Sequence, residues 1–280
     1  MDRTRNRKLA RVVASAGLAL GAVGLCTAPA LANGRPAPPT ASNPAASNPT
    51  ATNPAASPPA ATPPAATPLP AFDFTDCPAL PANADPNKWR CEVHVATGRM
   101  RLGGLDVPLR PMTITHAEGP LPDGSTGQVF GALHATPSPA AGGLLGIPGL
   151  PEQAPVLGVN VETRYGGWFD FLSHGTSAGG LDVTLALGGP LLPKDCSIGT
   201  AEHPIRLTMM RKGPNEWVSK DPPILKGTLW DNTVALPAAT NCGPLGTLLN
   251  GRNHLPSPAG DNSITLDGLY TFKTYAQLGR

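Results

Sequence analysis

The residues best suited to covalent chemistry are Gly175-Thr176-Ser177-Ala178-Gly179, which match the G-x-S-x-G turn that exposes a serine nucleophile between a strand and a helix. Asp231 and His254 follow in the order Ser, Asp, His used by one class of hydrolase. An activated serine needs an imidazole held by a carboxylate, and the turn needs a helix behind it. Here Gly179-Gly180-Leu181-Asp182-Val183-Thr184 reads as a turn followed by a strand. A glycine turn is therefore the preferred reading, and Ser177 with Asp231 and His254 stands as the alternative catalytic set.

Histidines raise a second chemistry. His94, His116 and His134 fall on three consecutive expected strands, and zinc needs three or four converging ligands. Strand alternation sets His94 opposite the face of Val93 and Val95, whereas His116 shares parity with Met112 and Ile114. Their orientations disagree on this reading, so no metal site is expected. Asp261, Asn262 and Asp267 lack the spacing of a calcium-binding loop and read as a turn before a strand. The HExxH, GxGxxG and GxxxxGK[ST] patterns do not occur, and no cofactor is expected.

Two segments suit binding better. In Tyr165-Gly166-Gly167-Trp168-Phe169-Asp170-Phe171, alternation turns Phe169 and Phe171 to the core and Trp168 and Asp170 outward, where an indole beside a carboxylate can stack on a sugar. Residues 142–150 form an uncharged apolar loop, with Leu144, Leu145 and Ile147 as its greasy positions. That loop either tucks over an open end of the fold or offers a patch to a lipid or protein.

These residues must be positioned by strands. The 280 residues include 35 Pro and 32 Gly, 14% are charged and 5% aromatic, which excludes coiled coils and long helical folds. Short runs alternate between apolar and polar from Cys91 to Val95, Met112 to Thr115, Val156 to Val161 and Ile205 to Met209, with later runs over residues 225–236 and 264–272. Capped amphipathic helices between them are missing, apart from a short one expected near Leu245 to Leu249. The expected fold is all-β, an antiparallel β-sandwich or barrel over residues 72–280. Cys77, Cys91, Cys196 and Cys242 form an even set without C-x-x-C spacing. Two disulfides, Cys77 with Cys91 and Cys196 with Cys242, follow from the lower entropy of closing contacts near in sequence.

The N-terminal region sets the address. Arg3, Arg5, Arg7, Lys8 and Arg11 precede an apolar run and the Ala30-Leu31-Ala32 triplet, so residues 1–32 read as a signal peptide. Its removal takes five of 21 basic and one of 19 acidic residues, leaving 16 against 18 and a charge of −2. Such a balance gives no attraction for phosphate backbones, and nucleic acid is not expected as a partner. Residues 33–71 hold 12 Pro and 12 Ala in 39 positions with a five-residue repeat, and read as a disordered, semi-rigid stalk.

Cys196-Ser197-Ile198-Gly199, then Asp231-Asn232 with Val234-Ala235-Leu236-Pro237-Ala238, Cys242-Gly243, Leu255-Pro256-Ser257 and Gly260-Asp261-Asn262 resemble a class of secreted actinobacterial cell-envelope proteins of unassigned function. The resemblance implies export and an envelope setting. The combined expectation is a non-catalytic binding or structural module of the envelope. Its candidate partners are cell-wall polysaccharide, envelope lipid or a surface protein.

Overall fold

Short stretches of alternating polarity between glycine and proline turns leave no room for packed helices, and the computed structural model, which describes residues 68–152 and 154–280, is accordingly built from antiparallel strands. The segments read from sequence as a signal peptide and, up to residue 67, a stalk lie outside the described residues. Among the described residues the strands are β1 (Arg90–Leu102), β2 (Leu105–Pro120), β3 (Thr126–Ala135), β4 (Ser138–Pro139), β5 (Asn160–Asp170), β6 (Ser177–Gly188), β7 (Ser197–Ile198), β8 (Ile205–Arg211), β9 (Glu216–Lys220), β10 (Pro223–Asp231), β11 (Ala239–Thr240) and β12 (Ser263–Thr274). One short helix, α1, spans Gly246–Arg252.

The sheet runs β3-β2-β1-β12-β10-β8-β6, with β5 beyond β6, and curls into a half-barrel. Its two ends, β3 and β5, meet through side chains rather than a backbone ladder. Phe130 stacks on Tyr165 with ring centroids 3.7 Å apart, and the Phe171 N–H donates to Gln128 Oε1 at 3.0 Å. Apolar side chains of the inner face, among them Leu102, Leu181, Leu185, Leu207 and Ile264, form the main core.

One end is closed by a 3-10 turn at Gly143–Leu145 and by α1, which bring Leu144 and Leu249 into that core. The β1–β2 turn docks against them. Gly103 sits there at φ 59, donating its N–H to Asn262 Oδ1, and a Cβ would stand 2.3 Å from the Asn253 carbonyl oxygen. Only glycine fits this approach. Buried Asn253 ties the closure together by donating from Nδ2 to the Leu144 and Leu249 carbonyls.

A second, smaller core lies on the outer face of β1 and β2. Residues 74–89 and the chain end cross that face, burying Cys77, Trp89, Cys91, Ala117 and Tyr275. Trp89 lies over Gly119, where a Cβ would come within 2.4 Å of the indole, and its Nε1–H donates to the Pro120 carbonyl. The disulfides are Cys77–Cys91, which fixes this crossing, and Cys196–Cys242, which joins the approaches to β7 and α1. Both pairings agree with the sequence reading. They point to an oxidising, extracytoplasmic setting. Among the described residues no helix is long and apolar enough to cross a membrane.

The covering segment bears on the reading that His94 and His116 face apart. Cys91 is fully buried on the outer face of β1, beneath residues 74–89, whereas Arg90, Glu92, His94 and Ala96 line the barrel interior. Alternation was sound, but a strand covered on both faces does not reveal from pattern which face is inner.

Candidate functional site

The barrel encloses a cavity of about 420 Å³. Its walls are largely apolar, supplied by Met100, Leu109, Met112, Leu185, Leu207 and Met209. A polar group joins the same cavity: Arg90, Glu92 and His94 from β1, His116 and Glu118 from β2, and Tyr270 from β12.

Strand geometry assembles this group. Arg90, Glu92 and His94 alternate onto one face of β1, and cross-strand register sets Arg90 opposite Glu118 and Glu92 opposite His116. On β2 the register shifts against β1 between Ala96 and Gly98, so that Leu109 and then Met112, Ile114, His116 and Glu118 all face the cavity. On the other flank, Tyr270 is the cross-strand partner of His94.

Glu92 stands at the centre. Its Oε1 lies 2.6 Å from Arg90 Nε, and Arg90 also pairs with Glu118 through Nη2. Its Oε2 is 3.3 Å from His94 Nε2 and 4.0 Å from His116 Nε2. The Tyr270 ring stacks on His94 with centroids 5.0 Å apart, and Phe171 meets His116 edge-on at 5.0 Å. Asn215 Nδ2 donates to the Tyr270 hydroxyl at 3.0 Å.

Burial works to raise the Glu92 carboxyl, but the neighbouring His94, His116 and Arg90 outweigh it and hold the group at about 2. His116 is pushed down to about 3, first by burial and then by the adjacent His94, against the opposing pull of Glu92. At neutral pH the cavity wall therefore carries an ionised carboxylate beside a neutral imidazole. Among the described residues six buried side-chain polar atoms make no aligned hydrogen bond, and three of them, Arg90 Nε, His94 Nε2 and His116 Nδ1, belong to this cluster. Unsatisfied groups concentrated in one wall mark a place where packing has not been optimised for stability.

The cavity holds a second arginine. Arg211 donates to the Gly175 and Ser177 carbonyls and to Ser173 Oγ, and no carboxylate of the described residues pairs with it.

The residues singled out from sequence are distributed differently. His94 and His116, read as facing apart, lie with ring centroids 5.3 Å apart, because the inner face of β1 is the polar one. His134 is separate, on the outside, with Nε2 2.9 Å from Asp76 Oδ2. No hydrogen bond or ion pair of the described residues joins Ser177 to Asp231 or His254. Ser177 begins β6 opposite Met210, its Oγ accepting only a long 3.4 Å bond from Gly179 N–H. Asp231 is buried and spends its oxygens on the Thr208 N–H and on the N–H and hydroxyl of Thr233, while His254 is exposed.

The apolar loop tucks inward. Leu144 is buried in the main core and Leu145 packs against it, leaving Ile147 as the exposed member, so of the two readings the loop follows the tucked one and the greasy patch is reduced to one side chain. Trp168 does face out, but Arg206 lies over its ring at 3.8 Å and covers the surface a sugar would use. Asp170 turns back to accept the Leu172 N–H at 2.9 Å.

Arg90, Glu92, Glu118, Tyr270 and Arg211 were missed by sequence reasoning. Charged residues at alternate positions of a strand read as its solvent face, and the local signal that could have reversed this was the cysteine between Arg90 and Glu92, whose disulfide brings a covering segment over the other face. No protein-family model, curated protein or solved structure matches the chain.

Proposed function

We propose that the chain is an exported, non-catalytic binding protein of the cell envelope, and that its ligand site is the interior of the half-barrel. The cavity carries this reading: about 420 Å³ of mostly apolar volume falls within the roughly 300–1,000 Å³ usual for small-molecule sites, with a few polar groups gathered in its wall. An elongated, lipid-like molecule with one polar end fits that division. Its apolar body packs among Leu109, Leu185, Leu207 and Met209, and its polar end meets Arg211 or the Glu92 group. Burial of apolar surface supplies the affinity, at roughly 25 cal/mol per Å² before the costs of association. A polysaccharide matches this cavity poorly. Export is supported by the signal-type leader, the two disulfides and the resemblance to secreted envelope proteins.

The test is displacement of a fluorescent long-chain fatty acid from the purified chain, beside Ala96→Phe. Ala96 lines the cavity from β1, and a phenyl ring there fills space the ligand needs. The folded variant is expected to lose probe binding. Equal binding by wild type and a folded Ala96→Phe variant would remove the cavity from consideration.

A further inference from the structure

We infer that Glu92, His94 and His116 form a binding site for one divalent transition-metal ion, zinc in the first instance. The potential ligand atoms of the three side chains all lie within 4.8 Å of one another. Zinc bonded to nitrogen and oxygen at about 2.0–2.2 Å holds its ligands roughly 3.3 Å apart. The 3.3 Å between His94 Nε2 and Glu92 Oε2 already has that value, and the 4.0 Å to His116 Nε2 closes with a small side-chain rotation.

The placement is rigid in the way a metal site requires. Two ligands stand at alternate positions of β1, and the third is the cross-strand partner of the first. Strand-borne ligands are held more firmly than loop-borne ones. Arg90 occupies Glu92 Oε1 and leaves Oε2 toward the imidazoles, while Tyr270 stacked on His94 and Phe171 edge-on to His116 fix the ring planes. The Arg90 contact is the outer-shell partner that orients the carboxylate, and the imidazoles are held by packing.

A second observation points the same way. His94 Nε2, one of the atoms that face Glu92 Oε2, is a buried atom aligned with no acceptor, although the His94 side chain is 33% exposed; His116 is only 1% exposed, and its second ring nitrogen, Nδ1, makes no hydrogen bond. A buried imidazole nitrogen without a partner costs stability, and a metal ion would use the His94 Nε2 lone pair. Two imidazoles and one carboxylate are a donor set for zinc, and also for cobalt, nickel or copper; calcium and magnesium prefer all-oxygen surroundings. Three protein ligands leave one coordination position open toward the cavity. The inference holds whatever occupies the apolar volume.

The experiment is calorimetric titration of the metal-stripped chain with zinc chloride, with the fatty-acid probe omitted. One equivalent is expected to bind. His94→Ala, His116→Ala and Glu92→Gln should each weaken it by more than the roughly 10–100-fold typical of losing an outer-shell partner. His134→Ala, which alters the surface pair with Asp76, should change nothing. Cobalt should give the strong visible absorption of a four-coordinate site, lost in Glu92→Gln, a nearly isosteric change that keeps the cavity shape. Absence of binding by the wild-type chain, or affinity unchanged in folded Glu92→Gln and His94→Ala, would overturn the inference. So would loss of the site in His134→Ala.

Discussion

Two arginine–carboxylate pairs occupy comparable positions in the sheet and differ in how completely they are satisfied. Asp182 on β6 and Glu92 on β1 are buried alike, each with side-chain exposure of 8%. Asp182 has Arg206 as its cross-strand partner, and both of its oxygens accept from that guanidinium, which also covers the Trp168 ring. Glu92 has His116 as its cross-strand partner, one oxygen near Arg90, and histidines at 3.3 and 4.0 Å around the other. Equal burial with unequal pairing separates two roles. The Asp182 group is a closed structural tie on the outside of the barrel, whereas the Glu92 group leaves donor and acceptor capacity facing a cavity.

The sharpest break of that comparison is Arg90→Ala. It takes the guanidinium from buried Glu92 and part-buried Glu118, and uncompensated buried charge costs about 3–5 kcal/mol. Arg90 is itself 43% exposed, so water shields part of the loss and about 3 kcal/mol is expected from urea unfolding at pH 7. Arg206→Ala should cost less, about 1.5–3 kcal/mol, the worth of a hydrogen bond to a charged group, because Arg206 is 56% exposed and its removal admits water to Asp182. Equal costs at the two sites would mean that the inner cluster is no more isolated from solvent than the outer one.

Replacing the unsatisfied groups should have the opposite sign. Glu92→Leu combined with His116→Leu removes a buried charge and an unpartnered imidazole from an apolar cavity, and exchanges of this kind are neutral or stabilising by about 1–4 kcal/mol. Residual Arg90 keeps Glu118 as its partner, so a gain of about 1 kcal/mol is expected in the metal-free chain. Loss of stability in this variant would show that the Glu92 group is a structural tie after all.

The fold was largely legible in the sequence, and the site was not. Turn residues, two-residue periodicity and an even cysteine set lead to an antiparallel β-sandwich or barrel with Cys77–Cys91 and Cys196–Cys242, because each is a local or near-local constraint; the choice of a curled half-barrel over a sandwich rests on non-local pairing. The interior cluster depends on contacts far apart in the chain. Glu92 reads as solvent-facing until residues 74–89 are known to cover Cys91, and Tyr270 joins His94 only through the β1–β12 pairing. Trp168 and Leu144 were chosen for side-chain type, and their covering by Arg206 and by the main core is again non-local.

Acid should expose the inner cluster before any outer tie. His116 is held at about 3 against an ordinary 6.5, so in the unfolded chain it takes up a proton first, and stability present above about 6.5 is lost as pH falls toward 3. Glu92, held at about 2 against 4.5, adds a loss of the same sign below about 4.5. The groups facing these two are His94 and Arg90 on β1, Glu118 on β2 and Tyr270 on β12. Between pH 7 and 5 the His116 limb precedes that of Glu92. Thermal melts of the metal-free chain are expected to fall over that interval, and His116→Leu should flatten the fall; an unchanged slope would locate the acid sensitivity elsewhere.

The smallest effect belongs to the outer pair. Trp168→Phe keeps an aromatic ring beneath Arg206 and removes the stronger attraction of the indole, in a contact worth about 0.5–1 kcal/mol when exposed. The bidentate bond to Asp182 holds Arg206 in place without help from the ring, so a loss below about 1 kcal/mol is expected. Trp168 does not line the cavity, and fatty-acid and zinc affinities should stay at their wild-type values. A fall in either affinity without loss of stability would couple the two regions and undo their separation into a structural tie and a binding wall. Weakened retention on cell-wall polysaccharide, with cavity binding intact, would instead place a second ligand on the outer face and remove the outer group from the purely structural class.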